Sequence, residues 1–126
     1  MPADDRERGA AVVEYVLVSV LLIMVFLAVV QFALVIHTRD VLVADAAEGA
    51  RTAALRDSGL PAGERACTDL VRHAVGGAVR TPCAGSYEGT TPELVRMRVS
   101  ADVPLMFVPG GRVHLDVSAR AMREPR

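Results

Sequence analysis

Between Val16 and Ile36 the chain reads VLVSVLLIMVFLAVVQFALVI, interrupted only by the uncharged polar residues Ser19 and Gln31. About 20 apolar residues wound as a helix span the hydrocarbon core of a bilayer, and a helix satisfies its own backbone groups there. A soluble helix apolar on all sides needs a large surrounding protein to cover it, which a chain of 126 residues lacks. We therefore read residues 16–36 as a transmembrane segment. The run exceeds the apolar region of an ordinary secretory signal, and His37-Thr38-Arg39-Asp40 follows it instead of a small-x-small cleavage pattern, so a retained anchor is expected. Arg6 and Arg8 precede the segment among Asp4, Asp5 and Glu7, while Arg39 follows it. This slight excess of basic residues on the N-terminal side favours a single-pass protein of the cell membrane with a cytoplasmic N-terminus and an extracytoplasmic C-terminal domain.

Composition narrows what the rest can do. All 14 basic residues are Arg, the net charge is −1, and no basic cluster stands out, which argues against nucleic acid as a partner. Aromatics make up 4% and Trp is absent, so the roughly 85 residues after the apolar run can build only a marginal core that needs a staple or a partner. Cys67 and Cys83 offer a disulfide if that region is exported, worth roughly 3 kcal/mol; the alternative is two unrelated thiols. His37, His73 and His114 are scattered, and Ser58 and Ser86 lack a glycine-framed nucleophile elbow. No phosphate-binding glycine loop is present, and Cys67, His73 and Cys83 fit no standard zinc spacing. The expectation is a chain with no catalytic residues, metal, cofactor or small-molecule substrate, and not an enzyme.

Helical character continues beyond Ile36. Residues 41–55 are rich in Ala and free of Pro, with Glu48 and Arg51 spaced to pair on one face. An unbroken helix over about residues 11–55 would be roughly 65 Å long. Gly49 marks either a close packing point or a flexible spot. The small-residue face Ala44, Ala47, Ala50 and Ala54 is expected to pack on the chain's own domain, with a subunit contact as the alternative.

Asp57–Glu64, with Gly59, Pro61 and Gly63, reads as a breaker; Ala66–Val79 reads as a short helix, and Thr81–Pro92 as a loop. Leu94–Val103 and Arg112–Met122 alternate strictly between apolar and polar, as half-buried antiparallel strands do, with Pro109-Gly110-Gly111 turning between them. Arg96 or Arg98 is expected to face Asp116 across the strands, His114 to be solvated, and Leu105-Met106-Phe107-Val108 either to tuck onto the core or to form a contact patch for a partner or the bilayer surface.

One motif remains, at the entrance to the apolar run. A short charged leader ends at Gly9, and Ala10-Ala11-Val12-Val13-Glu14-Tyr15 follows. Taken alone, Glu14 and Tyr15 suit the headgroup level of a bilayer. The stretch also resembles the processing site of type IV-like prepilins, in particular those of the tight-adherence (Tad) pilus system. In that family a membrane-embedded peptidase cuts after the leader's terminal Gly, and a Glu stands fifth in the mature chain. Counted from Ala10, Glu14 is fifth and Tyr15 sixth. The resemblance implies a new amino group on Ala10 that the Glu14 carboxylate compensates in an apolar setting. Ala46-Ala47-Glu48-Gly49-Ala50-Arg51 is similar to a motif of TadE-like proteins, the minor pilins or pseudopilins of the same system.

Together these features predict an α+β, pilin-like chain: a leader over 1–9, a long helix over 10–55 containing the transmembrane segment 16–36, and over 56–126 a small extracytoplasmic domain with a short helix and an antiparallel hairpin or sheet. The resemblance implies a structural or assembly component of a Tad (Flp-type) pilus or related secretion apparatus, processed by a prepilin peptidase. Its partners would be the membrane, other pilins or pseudopilins and an inner-membrane assembly platform. The alternative is an unprocessed single-pass membrane-anchored scaffold or binding protein of the cell envelope.

Overall fold

The computed structural model describes residues 2–90 and 94–125, with side chains placed from residue 4. The chain divides into two compact units, Met1–Leu34 and Val35–Arg126. The described residues of the first are all helical. Helix α1 covers Pro2–Ala54, with Asp4 and Asp5 in its first turn and Arg51 in its last, charges that complement the helix dipole. In the first unit its large apolar side chains stand open all round: Leu22 is 64% exposed and Phe26 66%. Among the described residues this is the one helix long and apolar enough to cross a membrane.

The second unit opens with the remainder of α1 and continues with α2 (Leu60–Val75), a short 3-10 turn (Gly76–Ala78), and strands β1 (Val79–Glu88), β2 (Leu94–Pro104) and β3 (Arg112–Met122). The strands form one antiparallel sheet in the order β1-β2-β3. The expected α+β class, with a long apolar helix, a short helix and an antiparallel sheet, is the observed one. Leu42, Ala46, Ala50 and Ala53 of α1 share a core with Cys67 and Val71 of α2 and with Val95, Met97, Val99, Ala101 and Val117 of the sheet. The alternation in β2 and β3 sorts their side chains as expected, with Val95, Met97, Val99, Ala101 and Val103 buried.

Several expectations need correction. Helix α2 begins at Leu60, inside the segment read as a breaker, and stops at Val75. Pro61 lies in the first turn, where its missing N–H costs nothing. Gly63 is there because the helices touch: a Cβ on it would lie 2.5 Å from the Ala53 Cβ and collide with the Gly49 carbonyl oxygen. Gly49 in turn is a packing point, since a Cβ there would lie 2.5 Å from the Cys67 Cβ. The buried face of α1 also differs from the alanine stripe. Ala50 and Ala54 lie on it, but Ala44 is exposed and Ala47 half-buried, and Leu42, Ala46 and Ala53 complete it.

The segment read as a loop over 81–92 is mostly strand β1, except that Thr91 and Pro92 lie outside the described residues. β1 hides from pattern reading because it is an irregular edge strand. Its register slips between Val79 and Thr81 and again between Thr81 and Ala84, and Pro82 falls within the second slip, where no ladder donor is required. Gly85 leaves room for Leu60 of α2, whose Cδ2 would lie 2.8 Å from an added Cβ.

Candidate functional site

The N-terminal motif lies on α1. Gly9 and Ala10 are helical, and a Cβ at Gly9 would meet nothing within 4 Å. Glu14 sits four residues after Ala10 and so on the same helix face. Glu14 is exposed, and Tyr15 is 74% exposed. The Ser19 hydroxyl donates to the Tyr15 carbonyl at 2.8 Å, which satisfies one of the two polar side chains in the apolar run without leaving the helix. Glu14 is therefore a carboxylate presented sideways at the start of an apolar helix, accessible to another chain.

The second motif is split by the helix into an inner and an outer half. Gly49 and Ala50 are buried against α2, whereas Glu48 and Arg51 are exposed and stand 3.9 Å apart as an i,i+3 pair. The inner half matters more for structure. Gly49 sits against Cys67, and Cys67 is joined to Cys83 of β1 by a disulfide with Cα atoms 6.0 Å apart. The Cys83 N–H donates to the Thr68 hydroxyl at 3.2 Å, and the Gly85 N–H to the Glu64 carboxylate at 2.8 Å, so α2 holds the irregular strand by one covalent and two polar ties.

Sequence reasoning missed the charged pairs of the sheet. Asp116 faces Ser100, not an arginine. Arg96 instead binds Glu88 of β1 at 2.5 Å, and Arg120 of β3 reaches the same carboxylate at 2.9 Å, so Glu88 bridges all three strands. Asp102 accepts from Arg80 at 2.7 Å and from His114 Nδ1 at 2.8 Å, and its side chain is only 9% exposed. His114 is exposed, as expected, and also hydrogen-bonds Asp102. The hydrogen bond from His114, followed by that from Arg80, holds the Asp102 carboxyl below the usual carboxylate range, and the same contact raises Arg80. The signal for these pairs was the run of polar residues at alternate strand positions; without β1 in the sheet, their partners could not be assigned. Asp45 on α1 is the opposite case: its Oδ2 is buried without a hydrogen bond, and burial raises its pKa.

Among the described residues no three His, Cys, Asp or Glu side chains are grouped to hold a metal ion. A shallow open cavity of about 500 Å³ lies beside Arg80, Asp102 and Arg112.

One long apolar helix with a carboxylate at its entrance, followed in sequence by a small disulfide-linked α+β unit, fits the class of single-pass membrane proteins. The family model described as TadE-like protein matches residues 9–51, so over that stretch the chain is similar to this family. The match opens on Gly9 and closes on Arg51, so it holds both motifs and the apolar run. No curated protein and no solved structure matches the chain. The family points to a component associated with Tad pili.

Proposed function

We propose that this chain is a TadE-like pseudopilin or minor pilin, a structural or assembly component of a Tad (Flp-type) pilus or a related secretion apparatus. Its leader, residues 1–9, is removed by a prepilin peptidase at the Gly9–Ala10 bond, leaving a helix that begins at Ala10. The N-terminus lies in the cytoplasm and the unit after the apolar run lies outside. The observation that carries this reading is the position of the TadE-like match, which starts at Gly9 and runs through the apolar helix. The geometry supports it chemically. Glu14 and the Ala10 amino group freed by cleavage would share one helix face, where a cation and a carboxylate in an apolar setting compensate each other within a chain or between neighbouring subunits. Gly9 helps at an earlier step: glycine weakens a helix by about 1 kcal/mol relative to alanine, which eases local unwinding at the bond to be cut.

The partners on this reading are the peptidase, other pilins or pseudopilins and an inner-membrane assembly platform, and the chain works without enzymatic activity or cofactor. The test is the N-terminal mass of the protein recovered from membranes of its own host. A chain beginning at Ala10 supports processing. A chain that retains its leader while the host peptidase is active overturns it in favour of an unprocessed membrane-anchored scaffold of the envelope.

A further inference from the structure

The loop between β2 and β3 does not tuck onto the core. Met106 is 73% exposed, Phe107 51% and Val108 53%, three consecutive apolar residues, whereas Leu55, Leu70, Tyr87 and Met122 of the same unit are exposed singly along the chain. The tip is built, not slack. The Leu105 N–H donates to the Gly111 carbonyl at 2.9 Å and the Gly111 N–H to the Val108 carbonyl at 2.8 Å. Gly110 turns the chain at φ 75°, and Gly111 admits Val108 so closely that a Cβ would lie 2.8 Å from the Val108 Cβ. The backbone ties hold the turn that carries these three exposed apolar side chains, and burial elsewhere would recover their transfer free energy.

Where this tip lies within the second unit follows from contacts at both ends of the sheet. At one end, the Glu124 N–H donates to the Ala54 carbonyl, so the end of β3 meets the end of α1. Helix α2 starts at that same end, with Gly63 against Ala53 and Gly49, and runs back along α1, with Cys67 against Gly49. Its far end leads through the 3-10 turn into Val79, which faces Ala101; Ala101 in turn faces Leu115. Beyond them, Pro104 faces Arg112 and the tip closes the hairpin. The tip thus occupies the end of the unit away from Ala54, the end at which α1 enters it through Val35 and Ile36, the last residues of the apolar run. Exposed Arg39 and Arg112 belong to that end as well, cations suited to lipid headgroups.

We propose that Met106, Phe107 and Val108 enter the surface of the bilayer, giving the second unit its own lipid contact in addition to the helical anchor. The inference goes beyond the pilin reading and needs only that α1 crosses the membrane; leader cleavage has no bearing on it.

The chain contains no Trp, so single reporters are available. Full-length Phe107→Trp, Met106→Trp, Met122→Trp and Phe26→Trp variants would each be reconstituted in vesicles of phosphatidylglycerol and phosphatidylethanolamine, with and without lipids brominated near the ester carbonyls or near the chain ends. The Phe107→Trp and Met106→Trp reporters are expected to show blue-shifted emission and loss of intensity with the shallow bromolipid. The Met122→Trp reporter, at the opposite end of the sheet, is expected to remain open to a water-soluble quencher. The Phe26→Trp reporter should be quenched by the deep bromolipid. Water-exposed emission from both tip reporters, alongside deep quenching in Phe26→Trp, overturns this inference alone. A blue shift at the tip without bromolipid quenching also overturns it, by assigning the tip to a protein partner or a second copy. Absence of quenching in Phe26→Trp overturns the membrane anchor and this inference with it.

Discussion

Helix α1 is one element governed by two kinds of surroundings. Through the apolar run, residues such as Leu22, Ile23 and Phe26 expose bulky side chains on every face, so that stretch is defined by what its solvent must be. From Leu42 to Ala54 the same helix buries a narrow face of small residues, and its opposite face carries Glu48 and Arg51. The bulky stretch has no covering layer and gains free energy only from hydrocarbon around it. The Ala-rich stretch gains from close approach, which small side chains and Gly49 permit. Helix propensity is nearly irrelevant to the difference; side-chain volume decides it.

That comparison can be broken first at the staple. Replacing Cys67 and Cys83 together by Ala should cost the second unit about 3 kcal/mol, measured by denaturant titration of the detergent-solubilised protein, while the apolar helix keeps its detergent-resistant signal. Loss of helical signal from both stretches together would mean that they are not independent. Phe26→Arg should cost up to about 3 kcal/mol of membrane insertion and lower the carbonate-resistant membrane fraction, with the disulfide of the second unit kept in the chains that do insert. Gly63→Ala should destabilise the second unit by roughly 2 kcal/mol, because its new Cβ meets backbone and the Ala53 Cβ, whereas Gly59→Ala, with only Pro61 Cδ at 3.6 Å, should be far milder.

The fold's class and the two regular strands were legible because apolar alternation and an unbroken apolar run are local signals. The Pro61 and Gly63 start of α2 was not, since the reason for Gly63 is a residue on another helix, Gly49. β1 was not either: an edge strand with two register slips leaves only Cys83 clearly buried and so writes no period into its sequence. Of the candidate site, the Gly9-to-Tyr15 and Glu48-to-Arg51 stretches were singled out by their resemblance to prepilin and TadE-like motifs, which is a matter of local sequence. The Asp102 and Glu88 networks could not be read, because each carboxylate is met by partners on other strands, and β1 was missing from the reading.

Acid titration sharpens the comparison further, since Asp45 and Asp102, the carboxylates with shifted pKa among the described residues, lie in the second unit. Asp45, raised by burial, is destabilising while ionised, so stability should rise as pH falls through its folded value and the gain should be complete below the ordinary Asp range. Asp102 is depressed, so its contribution is full above the unfolded value of about 4 and is lost as pH falls through the lower folded value. A thermal midpoint that first rises and then drops with acid, with the rise abolished in Asp45→Asn and the drop in Asp102→Asn, is the expected pattern. The smallest effect belongs to Arg51→Ala, which removes an exposed helical pair and should change stability by no more than about 0.5 kcal/mol.

The order of elements has a kinetic meaning. α2 follows α1, β1 follows α2, and the sheet is a simple meander in which each strand pairs with its neighbour in sequence. Searching for partners is therefore mostly a local affair, and chains of that kind fold quickly because little loop closure precedes the first favourable contacts. The two cysteines, 16 residues apart on consecutive elements, can meet as soon as α2 and β1 have docked. The contact that waits longest is Ala54 with Glu124, the hydrogen bond that joins the end of the first helix to the segment after the last strand. A nascent chain held at one end by its anchor could thus assemble nearly everything before its last residues arrive, leaving the final strand to complete the sheet.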